Sequence, residues 1–253
     1  MFKPLILVFF IYWFSSFTAI GQEANDISPE KPITIAISEN SYPYHFINEY
    51  KQPDGLMVDF WRLWASKLGQ SIEFVAYPWP EGFKKVEGGE LDLYGGLTKL
   101  AERNEHVTFF SESFPIESYI YIHQDINNIE NIEQLLPYTI GVVSSSSSLL
   151  ILKKQYPHFK VREYASRIAL YEAALKKEIL AFAESDHLLH SFHNTTMLQQ
   201  MYLEHKKVTY FEGALAGLTQ KANKALIAYV EQGIALITQE EKSLLEKKGL
   251  SYT

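Results

Sequence analysis

The fold assignment depends most on residues 88–111, GGELDLYGGLTKLAERNEHVTFFS. Leu91 to Tyr94 is predicted to be a short apolar strand, and Gly95-Gly96 leaves the main chain open to a ligand. Thr98 then supplies a hydroxyl, and Arg103 supplies a planar guanidinium that can bind a carboxylate through two hydrogen bonds. From these residue types alone, a βα turn with a solvated surface arginine is an equal alternative.

Upstream, the chain alternates strand and helix patterns. The run ITIAIS, residues 33–38, is apolar and β-branched, as expected of a buried parallel strand. Residues 55–69 have apolar side chains at helical spacing and end in Gly69, a suitable C-cap. A second strand, 71–77, and a second helix, 81–86, follow. The alternation predicts an α/β fold with mostly parallel sheets.

Downstream, an extended run at 119–123 precedes a strand at 138–143, five serines at 144–148 and a helix. Serine between a strand and a helix is typical of an N-cap, where free amides also attract anions. We expect a further helix at 166–177 and strands at 179–183 and 208–211. Residues 220–248 have helical periodicity.

The central stretch resembles the bacterial extracellular solute-binding proteins of family 3. The resemblance is carried by a glycine and an acid, a strand, a hydroxyl residue, an arginine and Phe-Ser; these are Gly89, Asp92, Thr98, Arg103, Phe110 and Ser111. The family implies an α/β, two-lobed periplasmic-binding-protein (type II) fold, in which each lobe is a mostly parallel sheet flanked by helices around a ligand cleft. It further implies a discontinuous first lobe at 22–120 and 213–253 and a second lobe at 121–212, following residues 1–21, which we predict from their own sequence to be a signal peptide.

The resemblance also implies roles for individual residues. Arg103 would bind the ligand's carboxylate together with Thr98 and the amide of Gly96. Tyr42 and Tyr44 lie in the loop that covers the ligand in this family, although aromatic rings there can equally cap the core. The remaining predicted ligand-binding residues are Ser146 and Ser147, which are alternatively a structural helix cap, and Glu184 or Asp186, which would hold an amino group.

Composition restricts the class of protein. The 253-residue chain has a net charge of −7, which makes nucleic acid an unexpected partner, and it has no cysteine. Its apolar N-terminus with small residues Ala19 and Gly21 predicts a secretory signal peptide, with an uncleaved anchor as the alternative. No cofactor is expected. His187, His190 and His193 are spaced three apart, but metal-binding helices favour one face together with a further carboxylate and a second shell, so no metal site is predicted.

These observations predict a monomeric periplasmic solute-binding protein, without enzymatic activity, that captures an amino acid or a related carboxylate. Its partner would be a membrane permease of ABC type or a sensor protein. One alternative is a periplasmic cyclohexadienyl-type dehydratase, in which a buried Glu184 donates a proton. Another is a sensory domain with a degenerate site, since the usual Gly-x-x-Asp before residue 179 is absent.

Overall fold

The computed structural model describes residues 31–112, 114–144, 146–185, 195–203 and 206–251. The signal-peptide prediction, Asp186 and the three spaced histidines lie outside these residues.

The described chain contains twelve strands and seven α-helices. The strands are β1 (Ile33–Ser38), β2 (Asn40–Ser41), β3 (His45–Ile47), β4 (Pro53–Asp54), β5 (Ile72–Tyr77), β6 (Leu93–Thr98), β7 (Val107–Phe109), β8 (Phe114–Ile122), β9 (Thr139–Val143), β10 (Lys160–Tyr164), β11 (Ala181–Ser185) and β12 (Lys206–Gln220). The helices are α1 (Leu56–Leu68), α2 (Trp79–Glu87), α3 (Ser147–Gln155), α4 (Arg167–Leu175), α5 (Thr195–Leu198), α6 (Lys224–Ala235) and α7 (Gln239–Ser251).

Nine strands form one continuous sheet with the order β10-β9-β11-β8-β12-β6-β1-β5, and β7 pairs with β12. In one half, β1 pairs in parallel with β5 and β6. In the other half, β9 pairs in parallel with β10 and β11. These two parallel blocks are the cores of two lobes, which confirms the predicted two-lobed α/β architecture.

Strands β8 and β12 connect the two lobes. They pair antiparallel from Lys206 opposite Ile122 to Leu215 opposite Phe114, with a register shift between Thr209 and Phe211. Both strands are longer than the predicted runs at 119–123 and 208–211. The sequence showed only their apolar segments, because the antiparallel partner stabilises the more polar residues beside them.

Along these connecting strands, the buried side chains divide between the hydrophobic cores of the two lobes. In β8, Ile116 packs in the first lobe's core and Ile120 packs in the second lobe's core. In β12, Tyr210 belongs to the second core and Leu215 to the first. The chain therefore crosses from one lobe to the other between Ile116 and Ile120 in β8, and between Tyr210 and Leu215 in β12. The lobe boundaries at 120/121 and 212/213 stay predictions, close to these positions.

Helix α1 holds the first lobe together, as its amphipathic sequence predicts. Trp61 and Trp64 are fully buried, and their indole N–H groups donate to the carbonyls of Gly95 (2.8 Å) and Val230 (2.9 Å). Gly69 ends the helix in the left-handed conformation, with φ of 64°. The indole bonds attach α1 to both β6 and α6 and satisfy polar groups that burial would otherwise leave unpaired.

Strand β6 differs from the prediction, which ended it at Tyr94. The strand runs through the glycine pair to Thr98, and all of its residues are buried. A Cβ at Gly95 would lie 3.2 Å from a side-chain carbon of Ile37, and one at Gly96 would lie 2.9 Å from a side-chain carbon of Met57. Core packing thus favours glycine at both positions, and a ligand contact at Gly96 stays a prediction.

The other predicted helices and strands are confirmed with shifts of a few residues at their ends. For example, α2 begins at Trp79 rather than residue 81, β11 runs to Ser185 rather than residue 183, and α7 continues to Ser251, beyond residue 248. Among the described residues, no helix has the length and apolar character needed to cross a membrane.

Candidate functional site

A cavity of about 100 Å³ lies between the two lobes. Its walls combine the end of β6 and the β2–β3 loop of the first lobe with the starts of α3 and α4 and the end of β11 in the second. The lining residues are Ser41, Tyr44, His45, Trp79, Gly96, Leu97, Thr98, Arg103, Ile116, Val143, Ser146, Ser147, Arg167, Glu184, Ser185 and Leu215.

Arg103 provides a cation from the first lobe. It ends a single 3₁₀ turn, Ala101–Arg103, directly after β6. One Nη donates to the carbonyl of Thr98 at 2.7 Å, and the guanidinium lies 5.4 Å from the ring centre of Trp79. Burial lowers the pKa of Arg103 to about 10, so the group is still a cation at neutral pH. No other N–H group of this side chain has a protein partner in the described part of the chain.

Thr98 and Gly96 line the cavity beside Arg103. The Thr98 hydroxyl has no hydrogen-bond partner among the described residues and is available to a ligand. His45 fixes the Gly96 carbonyl: its Nδ1 accepts from the amide of Ser38 at 3.0 Å, so its Nε2 carries the proton and donates to Gly96 at 2.8 Å. Burial lowers the pKa of His45, which favours this neutral form.

The second lobe contributes an ion pair. Arg167 Nε donates to Glu184 Oε2 at 2.9 Å; the glutamate side chain is only 5% exposed and the arginine side chain 28%. The same Oε2 accepts from the hydroxyl of Tyr171 at 3.4 Å, and Oε1 accepts from the amide of Ser185 at 3.0 Å. Although burial opposes its charge, the Glu184 carboxylate holds the pKa of Arg167 above its ordinary value.

The first turn of α3 completes the second-lobe wall. Ser146 is the N-cap, and its hydroxyl accepts from the amide of Leu149 at 3.2 Å. The predicted structural cap is therefore present, and the same residue also borders the cavity. Ser147 follows it, and its hydroxyl has no partner among the described residues. Helix α4 starts at the cavity as well, with Arg167 as its first residue. Two helix N-termini thus contribute a positive dipole end each.

Seven of the nine predicted ligand-binding residues line this cavity: Gly96, Thr98, Arg103, Tyr44, Ser146, Ser147 and Glu184. Tyr42 does not. Its ring packs 4.9 Å from that of Phe46, in the turn between β2 and β3. Asp186 lies outside the described residues. The ligand contacts of all nine stay predictions.

Nine of the sixteen lining residues were not predicted, and Arg167, His45 and Trp79 among them bear most on the chemistry of the site. Arg167 follows a serine N-cap, and its partner Glu184 is 17 positions away, so only tertiary packing joins them. His45 begins β3 beside Tyr44, and its hydrogen bonds to Ser38 and Gly96 come from β1 and β6, so the local sequence contained no signal for it. Within the described ranges, no cluster of three histidine or acidic side chains could hold a metal ion.

One family of known proteins matches most of the chain. Residues 33–248 match the model of the bacterial extracellular solute-binding proteins, family 3. No curated protein sequence matches the chain.

Solved structures with this fold are distant in sequence. An ancestral arginine-binding protein bound to arginine is 19% identical, with a TM-score of 0.72 over 87% of this chain and 99% of its own. The ancestral amino acid-binding protein AncCDT-1, a precursor of cyclohexadienyl dehydratase, is 17% identical, with a TM-score of 0.70 over 86% of this chain and 94% of its own.

A histidine kinase sensor domain with similarity to periplasmic binding proteins is 15% identical, with a TM-score of 0.72 over 87% of this chain and 96% of its own. At such identities these likenesses show the fold alone. The family match covers most of the chain and includes the strands and helices that form both walls of the cleft. The chain belongs to the bacterial extracellular solute-binding proteins of family 3.

Proposed function

We propose that this protein captures a small, carboxylate-bearing ligand, an amino acid or a related acid, between its two lobes and presents the closed form to a membrane partner. The observation that carries the proposal is Arg103. It is a half-buried cation in the interlobe cavity with most of its donors unused by the described protein. A guanidinium held in this way favours a planar, bidentate anion such as a carboxylate.

The opposite wall supports capture by closure. Ser146 and Ser147, at the start of α3, belong to the second lobe, whereas Arg103 and Thr98 belong to the first. A ligand that contacts both walls gains its full set of hydrogen bonds only when the lobes are closed. Since two strands, β8 and β12, join the parallel blocks, we propose a hinge motion about them.

We propose secretion to the periplasm by a signal peptide at 1–21, and a monomeric state. An ABC-type permease or a sensor protein would read the closed form. The family description supports an extracellular location, and the sensor-domain neighbour supports the second kind of reader. Fractionation with N-terminal sequencing tests secretion: a mature chain starting at Gln22 is expected, and full-length protein in the inner membrane would contradict it.

Ligand capture is tested by native mass spectrometry of the protein purified from its own host. A retained small acid is expected. Small-angle X-ray scattering with and without that acid should show a smaller radius of gyration in the bound form, because closure compacts the two lobes. A protein that retains nothing and whose scattering does not respond to small acids would contradict the proposal.

The dehydratase alternative is favoured by one observation: a buried carboxylate, Glu184, borders the cleft. The AncCDT-1 neighbour shows that the fold has given rise to enzymes. Glu184 is, however, engaged by Arg167 and accepts three hydrogen bonds, so proton donation would require breaking the ion pair. Turnover of prephenate or a related acid by the wild type, abolished by Glu184→Gln, would establish the enzyme in place of the binding protein.

A further inference from the structure

The cleft has an unusual charge balance for a site that holds an amino acid. Among its described lining residues, the charged side chains are two arginines, Arg103 and Arg167, and one acid, Glu184. His45 is neutral, because burial lowers its pKa and its Nδ1 accepts from the amide of Ser38. The cavity wall therefore has a formal charge of +1, and its single acid is already paired.

Glu184 has little capacity left for a ligand ammonium. Its Oε2 accepts from Arg167 and Tyr171, its Oε1 accepts from the amide of Ser185, and its side chain is 5% exposed. An ammonium could reach this carboxylate only by displacing Arg167. Displacement would leave a buried guanidinium without its counterion, which is strongly unfavourable.

Arg167 itself keeps donors for a ligand. Only its Nε is engaged, by Glu184, and its two terminal Nη groups have no protein partner among the described residues. The side chain is 28% exposed and borders the cavity. A guanidinium anchored through Nε presents its outer edge in a fixed orientation, as bidentate recognition of an acid group requires.

We propose that the cleft binds a small ligand with two acidic groups and no amine, one acid on Arg103 of the first lobe and the other on Arg167 of the second. This inference rests on the proposed binding function and narrows its ligand class. Glu184 acts as a positioning residue that orients Arg167. The serine hydroxyl at Ser147 and the dipole ends of α3 and α4 add to the field that favours an anion.

Matched pairs of probes that differ only in an amino group give the sharpest test. Succinate is compared with aspartate, and glutarate with glutamate, by isothermal titration calorimetry at pH 7 and one fixed ionic strength. In each pair the compound without the amine should bind at least about tenfold more tightly, because the ammonium meets a cationic wall with no free acid among its described residues. Tighter binding of aspartate and glutamate would overturn the inference while leaving the binding function intact.

Two variants test the roles of the ion pair. Arg167→Gln should weaken succinate or glutarate about tenfold to a hundredfold and reverse the preference toward the amino compound, because Glu184 is then unpaired. Glu184→Gln should weaken succinate and glutarate, because Arg167 loses the carboxylate that orients it, and it should not weaken aspartate or glutamate more than these. If Glu184 holds a ligand ammonium instead, Glu184→Gln would weaken aspartate selectively, which would refute the inference.

Controls separate binding from folding. The double variant Arg167→Gln/Glu184→Gln removes both charges, so it should fold even where the single change leaves a buried acid unpaired, and it should still lose dicarboxylate affinity. Arg162→Ala removes an exposed arginine of the same lobe, on β10, and should leave every affinity unchanged. If none of the four probes binds the wild type or any variant, while native mass spectrometry finds another retained solute, the dianion assignment alone is wrong. If no solute is retained at all, the binding function fails with it.

Discussion

Replacing Arg103 by alanine is the most direct test of how this cleft binds its ligand. The change removes a half-buried guanidinium that lies against Trp79 and donates one hydrogen bond to Thr98. A carboxylate bound there would lose two charge-assisted hydrogen bonds and its counterion at the same time. The expected loss is about 3 kcal/mol of binding free energy, or somewhat over a hundredfold in Kd.

The cost to folding should be smaller. In the unliganded protein, Arg103→Ala removes the hydrogen bond to the Thr98 carbonyl and the cation–π contact with Trp79. The carbonyl faces a cavity that water can enter, so the loss should be about 1 kcal/mol and the melting temperature should fall by only a few degrees. A large affinity loss with a small stability loss is what distinguishes a binding residue from a structural one.

Lysine at the same position refines the test. Arg103→Lys keeps the positive charge but loses the planar pair of donors, so it should recover only part of the affinity. Arg162→Ala, an exposed arginine away from the cleft, is the matched control and should leave Kd unchanged. Calorimetric titration with the retained ligand, alongside thermal melts, measures both quantities. If Arg103→Ala binds as tightly as the wild type, the carboxylate anchor is wrong.

Three further changes test the framework of the site. Gly55→Ala should destabilise the protein by about 1–3 kcal/mol in denaturant melts, because φ is +115° and a Cβ would lie 2.6 Å from the Tyr44 carbonyl oxygen. The control Gly69→Ala, with open space around its Cβ, should cost about 1 kcal/mol or less. His45→Gln should reduce the fall in melting temperature between pH 7 and pH 5. In the wild type, folded His45 has a lowered pKa, so unfolding takes up a proton and the free energy of unfolding decreases as the pH drops below about 6.5. An equally steep pH dependence in the variant would refute this. Trp79→Leu should weaken ligand binding a few fold through the lost cation–π contact with the arginine, measured by calorimetry, and unchanged affinity would remove Trp79 from the site.

Local sequence signals predicted the elements well where each element is determined by its own residues. The amphipathic period of α1 and its Gly69 cap specify a helix with a buried face, and ITIAIS specifies a buried parallel strand; both are present as predicted. The serines at 144–148 indicated an N-cap, and Ser146 caps α3. In each case a short-range interaction decides the conformation, so a single sequence carries the information.

Contacts between distant segments were not visible in the sequence. The side chains packed against the glycines at 95 and 96, Ile37 and Met57, come from β1 and α1. Likewise, Arg167 reaches Glu184 because α4 packs beside β11, and this ion pair was not predicted. Residue types at one position do not reveal which partner has already satisfied them.

The pairing of Glu184 with Arg167 also gives a physical reason for ligand-dependent closure. Under the proposed dianion scheme, the two lobes bring cationic side chains, Arg103 and Arg167, to opposite walls of one small cavity. The charge of Arg167 extends across the cleft, since it adds to burial in lowering the pKa of the first-lobe residue His45. An empty closed cleft would hold two guanidiniums with one counterion in poorly hydrated surroundings, which disfavours closure. A ligand with an acid group for each wall would compensate both charges, so the closed form would become stable only when it is occupied.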